Sequence, residues 1–104
     1  MIVYLSGPMT GYPDMNRQAF TDAAAMMRLA GHVVHNPHEA NAGMPDADRR
    51  ARLAADLSWI CLHAEAVVLL PGWDRSSGVA AETAAAEAVG AACYELEFFL
   101  AEEC

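Results

Sequence analysis

The stretch Val67–Glu82, VVLLPGWDRSSGVAAE, decides how the chain is read. Its near-continuous aliphatic run ending at Pro71 has the pattern of a strand buried on both faces. The small residues Ser76, Ser77 and Gly78 then lead into an Ala-rich helix, predicted from about Val79 to Val89, with Glu82 in its first turn. A loop able to hold an anion therefore lies beside a carboxylate. Loop amides and hydroxyls suit a phosphate, and the carboxylate suits attack on a nearby carbon.

Working outward, Ile2–Ser6 reads as a first strand, stopped by the loop Gly7-Pro8-Met9-Thr10-Gly11. Asp14 or Asn16 caps the next helix, in which Phe20, Ala24 and Met27 share one face and Arg17, Asp22 and Arg28 lie off it. Gly31 ends that helix, and His32–Asn36 forms a second strand closed by Pro37. His38–Pro45 has no periodicity and reads as the longest loop, a candidate lid. Asp46 or Asp48 opens the following helix, whose stripe is Leu53, Leu57 and Ile60, with Asp56 on or beside the apolar face. After the strand Ala66–Leu70 and the helix of Glu82, Gly90 ends the helix, Ala91–Glu95 forms a fourth strand, and Leu96–Cys104 a short terminal helix.

Strands alternating with helices imply right-handed crossovers and a mostly parallel sheet of four to five strands. The expected fold is a single α/β domain over residues 1–104, a small doubly wound, flavodoxin-like or Rossmann-like sandwich of strand order 2-1-3-4. That order puts the switch point between the first and third strands. The Gly7–Gly11 and Pro71–Gly78 loops then form the two lips of one crevice.

Composition narrows the ligand. With 104 residues, 55% of them hydrophobic, the chain can build one core without staples. A net charge of −8, with six basic residues that are all arginine, argues against a nucleic-acid polymer as partner. A small anion remains compatible with a helix N-terminus and a few arginines. Cys61, Cys93 and Cys104 are odd in number and widely spaced, which suits a reducing compartment, with packing roles expected for Cys61 and Cys93 and a frayed terminal thiol at Cys104. No basic leader and no apolar run of about 18 residues is seen, so a soluble, cytoplasmic protein without membrane partner is expected.

The chemistry-bearing residues each admit an ordinary reading. Glu82 fits the helix dipole as an N-terminal acid, and the same dipole would keep a nucleophile ionised. Asp56 fits an ion pair with Arg52. Tyr4 is ordinary core, or a phenol aimed from the switch-point strand at a carboxylate. Ser76, Ser77 and Gly78 fit a turn and cap. His32, His35 and His38 are spaced like metal ligands, but His32 and His35 face opposite ways in a strand, so the set does not converge and no metal is expected. Trp59 reads as core, while Trp73, in the loop before Ser76, is the better candidate to stack on a base.

Taken together, Tyr4-Leu5-Ser6-Gly7, Asp56-Leu57-Ser58-Trp59 and Ser76-Ser77-Gly78-Val79-Ala80-Ala81-Glu82 make the chain resemble the nucleoside 2-deoxyribosyltransferase superfamily. It is most similar to a short branch common in phage genomes, whose opening YLSGPMTG and LLPGW loop it shares; a phage-borne copy would act in the host cytoplasm. The resemblance implies that Glu82 is the nucleophile, Tyr4 orients it, and Asp56 assists proton transfer or sugar recognition. It implies that Ser6, Gly7, Pro8, Met9, Thr10, Gly11, Arg17, Trp73, Asp74, Ser76, Ser77 and Gly78 seat the substrate and its phosphate. Six residues before the nucleophile, free-nucleoside transferases have an aspartate and 5′-monophosphate hydrolases a serine. Ser76 favours the monophosphate, since a hydroxyl donates to a phosphate that a carboxylate would repel. Asp74, two residues earlier, is placed to take the aspartate's part instead. Where those hydrolases carry a first-loop arginine this chain has Thr10, which leaves Arg17 or Arg75 to meet the phosphate. The implied activity is N-glycosidic cleavage or base exchange on a nucleoside or nucleotide, without cofactor, in a homodimer or higher oligomer whose neighbouring subunit completes the site. Leu96, Phe99 and Leu100 offer an apolar interface, or else cover the sheet edge. A nucleotide-binding sensor without turnover is the alternative.

Overall fold

A computed structural model describes residues 1–44 and 48–103. Four parallel strands, β1 (Ile2–Ser6), β2 (Val33–His35), β3 (Ala66–Leu69) and β4 (Ala92–Glu95), form one sheet in the order β2-β1-β3-β4. The helices are α1 (Arg17–Leu29), α2 (Pro37–Ala40), α3 (Arg49–His63), α4 (Ser77–Ala88) and α5 (Leu96–Glu102). This is the doubly wound order expected from the sequence, with every strand parallel.

Alternation along β1 divides the core. Val3 and Leu5 join Phe20, Ala24 and Met27 of α1 and Phe99 of α5 on one face. Tyr4 points the other way and packs with Ile60 of α3 and with Val79 and Ala86 of α4. Gly7 lets the first loop pass close to the end of β3: a Cβ there would lie 2.7 Å from the Cβ of Leu70.

Several local expectations are corrected. Neither Asp14 nor Asn16 caps α1 through its side chain; Asn16 is left-handed and its Nδ2 donates to the Pro8 carbonyl at 2.9 Å. Asp14, Met15 and Asn16 all have positive φ, and Asp14 instead pairs with Arg17 at 3.2 Å. Pro37 does more than close β2. It starts the one-turn α2, capped by the Asn36 side chain, so the segment from His38 begins helical, with Pro favoured in the first turn. Asp48 precedes α3 without a side-chain cap bond, whereas Asp46 and Pro45 lie outside the described residues. Leu53 and Leu57 are only half-buried, and the buried residues of α3 are Asp56 and Ile60. Leu96 and Leu100 pack on the Phe99 core and so cover the sheet. Cys61 and Cys93 are exposed thiols and not packing residues; Cys104 lies outside the described residues. No described helix is long and apolar enough to cross a membrane.

Candidate functional site

A cavity of about 650 Å³ opens at the C-terminal ends of β1 and β3. Its lips are the loop Gly7–Thr10 and the segment Gly72–Gly78, with α2, α3 and the Met15–Arg17 region completing the wall. Crevices at such a switch point are the usual ligand sites of open parallel sheets.

Glu82 lines this cavity and is 8% exposed. Tyr4 and Ser6, two apart on β1, face α4 together, and both hydroxyls donate to its carboxylate: Tyr4 Oη to Oε2 and Ser6 Oγ to Oε1 at 2.7 Å. Ser6 therefore does not line the cavity but holds the carboxylate, a role its i, i+2 spacing from Tyr4 could have signalled. α4 begins at Ser77, earlier than the sequence suggested, which puts Glu82 in the second turn and leaves no acid in the first. The dipole does not dominate there. Burial pushes the Glu82 carboxyl up from 4.5 to about 7, against the lowering effect of the Tyr4 and Ser6 hydrogen bonds.

Asp56, also 8% exposed, lines the same cavity. The Asn41 amide donates to its Oδ1 at 2.9 Å. Burial raises the Asp56 carboxyl, while hydrogen bonds from Asn41 and Tyr4 and the charge of Arg52 pull it back. The Tyr4 phenol, completely buried, is held well above 10 by desolvation, then by Glu82 and Asp56. The floor is thus a coupled carboxyl–phenol–carboxyl group, able to hold or move one proton beside a reactive oxygen.

The rim has the opposite charge. Arg17, Arg49, Arg52 and Arg75, four of the six basic residues of an acidic chain, line this one cavity. From sequence Arg49 was missed and Arg52 was read only as an ion-pair partner of Asp56; the recurrence of Arg49, Arg52 and Asp56 at i, i+3 and i+7 on one helix face was the available signal. Arg49 Nη2 reaches Ser77 Oγ at 3.4 Å across the mouth. Ser76 caps α4, its Oγ accepting from the Val79 N–H at 3.3 Å, which leaves the hydroxyl proton for a ligand.

Gly7, Pro8, Met9, Thr10, Arg17, Ser76, Ser77 and Gly78 all line the cavity as expected, but Gly11, Trp73 and Asp74 do not. Trp73 turns towards β4, its indole N–H donating to Glu95 at 3.2 Å, and borders a separate groove with Tyr94 and Phe98. The three strand-region histidines diverge. His32 bonds the N-terminus and the Glu103 carbonyl, His38 the Met15 carbonyl, and His35 stacks on Trp59. Among the described residues no cluster of three His, Cys, Asp or Glu side chains could hold a metal.

A family model described as a domain of unknown function, DUF4406, matches residues 1–94. The chain belongs to the DUF4406 family. The match runs from β1 to within β4, so the DUF4406 domain contains every wall of the cavity. No curated protein matches the chain.

Proposed function

We propose that this DUF4406 protein is a retaining N-glycosidase acting on a (deoxy)nucleoside 5′-monophosphate. The observation that carries the reading is the Glu82 carboxylate, fixed by Tyr4 and Ser6 on the floor of a cavity whose rim is arginine-rich. An ionised Glu82 oxygen attacks C1′; the C1′–N bond breaks and its electron pair leaves with the base, which takes a proton from Asp56. Water then gives a proton to the Asp56 carboxylate and attacks C1′ of the glycosyl–Glu82 ester; the C1′–Glu82 oxygen bond breaks, releasing the sugar phosphate and freeing the Glu82 carboxylate, or a second base accepts the sugar. The phosphate is met by the Ser76 hydroxyl, the free N–H groups of the first turn of α4, and the rim arginines. Resemblance adds a homodimer; Phe99 is fully buried within the protomer, with Leu96 and Leu100 packed partly against the same core.

One observation favours a second reading, nucleotide binding without turnover. Burial that lifts the Glu82 carboxyl to about 7 disfavours its ionised form, which weakens it as a nucleophile. The experiment is incubation with a panel of nucleosides and 5′-monophosphates, with free base followed by chromatography, in wild type and Glu82→Ala. Base release abolished by the substitution supports the glycosidase. Release that persists in the variant removes Glu82 from the role, and tight binding without release from any substrate selects the second reading.

A further inference from the structure

The sequence singled out His35 and Trp59, and the chemistry proposed above uses neither. In the fold they meet behind Tyr4. β2 pairs with β1 so that His35 lies beside Tyr4 in register, on the same face of the sheet. The two rings stack at 5.4 Å between centroids and 21° between planes. Trp59, from α3, stacks on the imidazole at 4.2 Å and 26°, and its indole also meets the Tyr4 ring at 6.1 Å and 40°, so the three rings form a triangle. Tyr4 is thus flanked by an imidazole on the neighbouring strand and an indole from the helix above.

Trp59 is also three residues after Asp56, so both leave the same side of α3. Whatever seats the indole against the sheet sets the height at which Asp56 enters the cavity. The geometry points to His35 and Trp59 as positioning residues: their stack fixes the Tyr4 ring so that its hydroxyl meets Glu82, and registers α3 so that Asp56 stands in the same cavity. This role rests on the reading of Glu82, Tyr4 and Asp56 as one working group. It explains why a half-buried histidine sits on a short edge strand facing a tryptophan, where an aliphatic pair would fill the space. Stacked faces constrain ring tilt and offset as well as volume.

The test follows the titration of Glu82 by NMR of its carboxyl carbon and needs no substrate. Tyr4→Phe sets the scale: loss of the donated hydrogen bond moves the Glu82 midpoint up by roughly one pH unit. His35→Leu, which fills space without stacking, is expected to move the midpoint in the same direction by at least half as much, and His35→Phe to restore it. A folded His35→Leu protein with an unmoved or lowered midpoint overturns the inference. Trp59→Leu carries the same comparison, against Trp59→Phe, if His35→Leu does not fold. Where base release is measurable, the leucine variants lower kcat about ten-fold and leave KM within two-fold. Failure of the glycosidase reading would show as no release from any protein, while the Glu82 midpoints still decide the positioning role.

Discussion

At the scale of single residues, Glu82 is a buried carboxyl whose ionisation opposes stability. Its carboxyl rises from 4.5 to about 7 on burial, so the folded chain holds a proton that the unfolded chain gives up. The sign follows by linkage. Stability is fully present below about pH 4.5 and is lost as pH rises through about 7, amounting to about 3 kcal/mol by pH 8. Glu82→Gln removes that slope. Urea denaturation at pH 5 and pH 8 is expected to show the wild type losing markedly more stability over the interval than the variant; parallel losses would contradict the burial argument. If ionised Glu82 is the nucleophile, kcat/KM rises with pH through the same midpoint. Gly7 gives a second prediction of a different kind. Gly7→Ala drives a Cβ to within 2.7 Å of Leu70 Cβ in the core and is expected to cost about 1–3 kcal/mol. Gly11→Ala, at φ +88° with nothing within 4 Å, carries only the left-handed backbone penalty of about 1 kcal/mol. Denaturation midpoints of the two variants separate steric from conformational cost.

At the scale of elements, α4 carries two duties at one residue. Ser76 caps the helix and also faces the cavity. Ser76→Ala removes both and is expected to cost about 1 kcal/mol of stability. Ser76→Asp keeps a capping oxygen at an N-terminus that favours negative charge, so the melting temperature stays close to wild type. The same carboxylate repels a phosphate. Affinity for a nucleoside 5′-monophosphate should therefore fall in Ser76→Asp while stability holds, and calorimetric titration beside a thermal melt reads the two separately. α3 is likewise divided. Ile60 faces the core, Asp56 and Arg52 face the cavity, and Arg50 is exposed outside it. The weak stripe seen in sequence, with Leu53 and Leu57 only half-buried, follows from part of that face lining a cavity.

At the scale of the whole molecule, charge is sorted. The chain is −8 overall, yet four arginines surround one opening. Binding of a 5′-monophosphate is expected to weaken as salt rises, because partly exposed guanidinium–phosphate pairs are screened. Arg49→Ala should weaken it further by roughly ten-fold, the worth of one charged hydrogen bond, while Arg50→Ala leaves it unchanged. Equal effects of the two substitutions, read by titration at low salt, would argue for diffuse attraction instead of a site.

How much of this was written in the chain depends on the range of the interaction. The aliphatic run at Val67–Leu70, the alternation that turns Tyr4 away from Val3 and Leu5, and the punctuation by Gly31 and Gly90 are local. They determined four strands, their crossovers and the order β2-β1-β3-β4, because hydrophobic periodicity and the handedness of crossovers leave few other arrangements. Caps were less legible: Asp14 and Asn16 have the right chemistry, but an unusual left-handed turn takes both elsewhere. The site lay between these limits. Topology brought Glu82 and both loops to one crevice and resemblance added Asp56, whereas Trp73 turned to the far side of its loop to reach Glu95. Only the tertiary structure decided that Ser6 serves Glu82, 76 residues away, that burial and not the dipole governs that carboxyl, and that Arg17, Arg49, Arg52 and Arg75 share a rim. Periodicity states which side of an element is buried; which side chains then meet is set by how the elements pack.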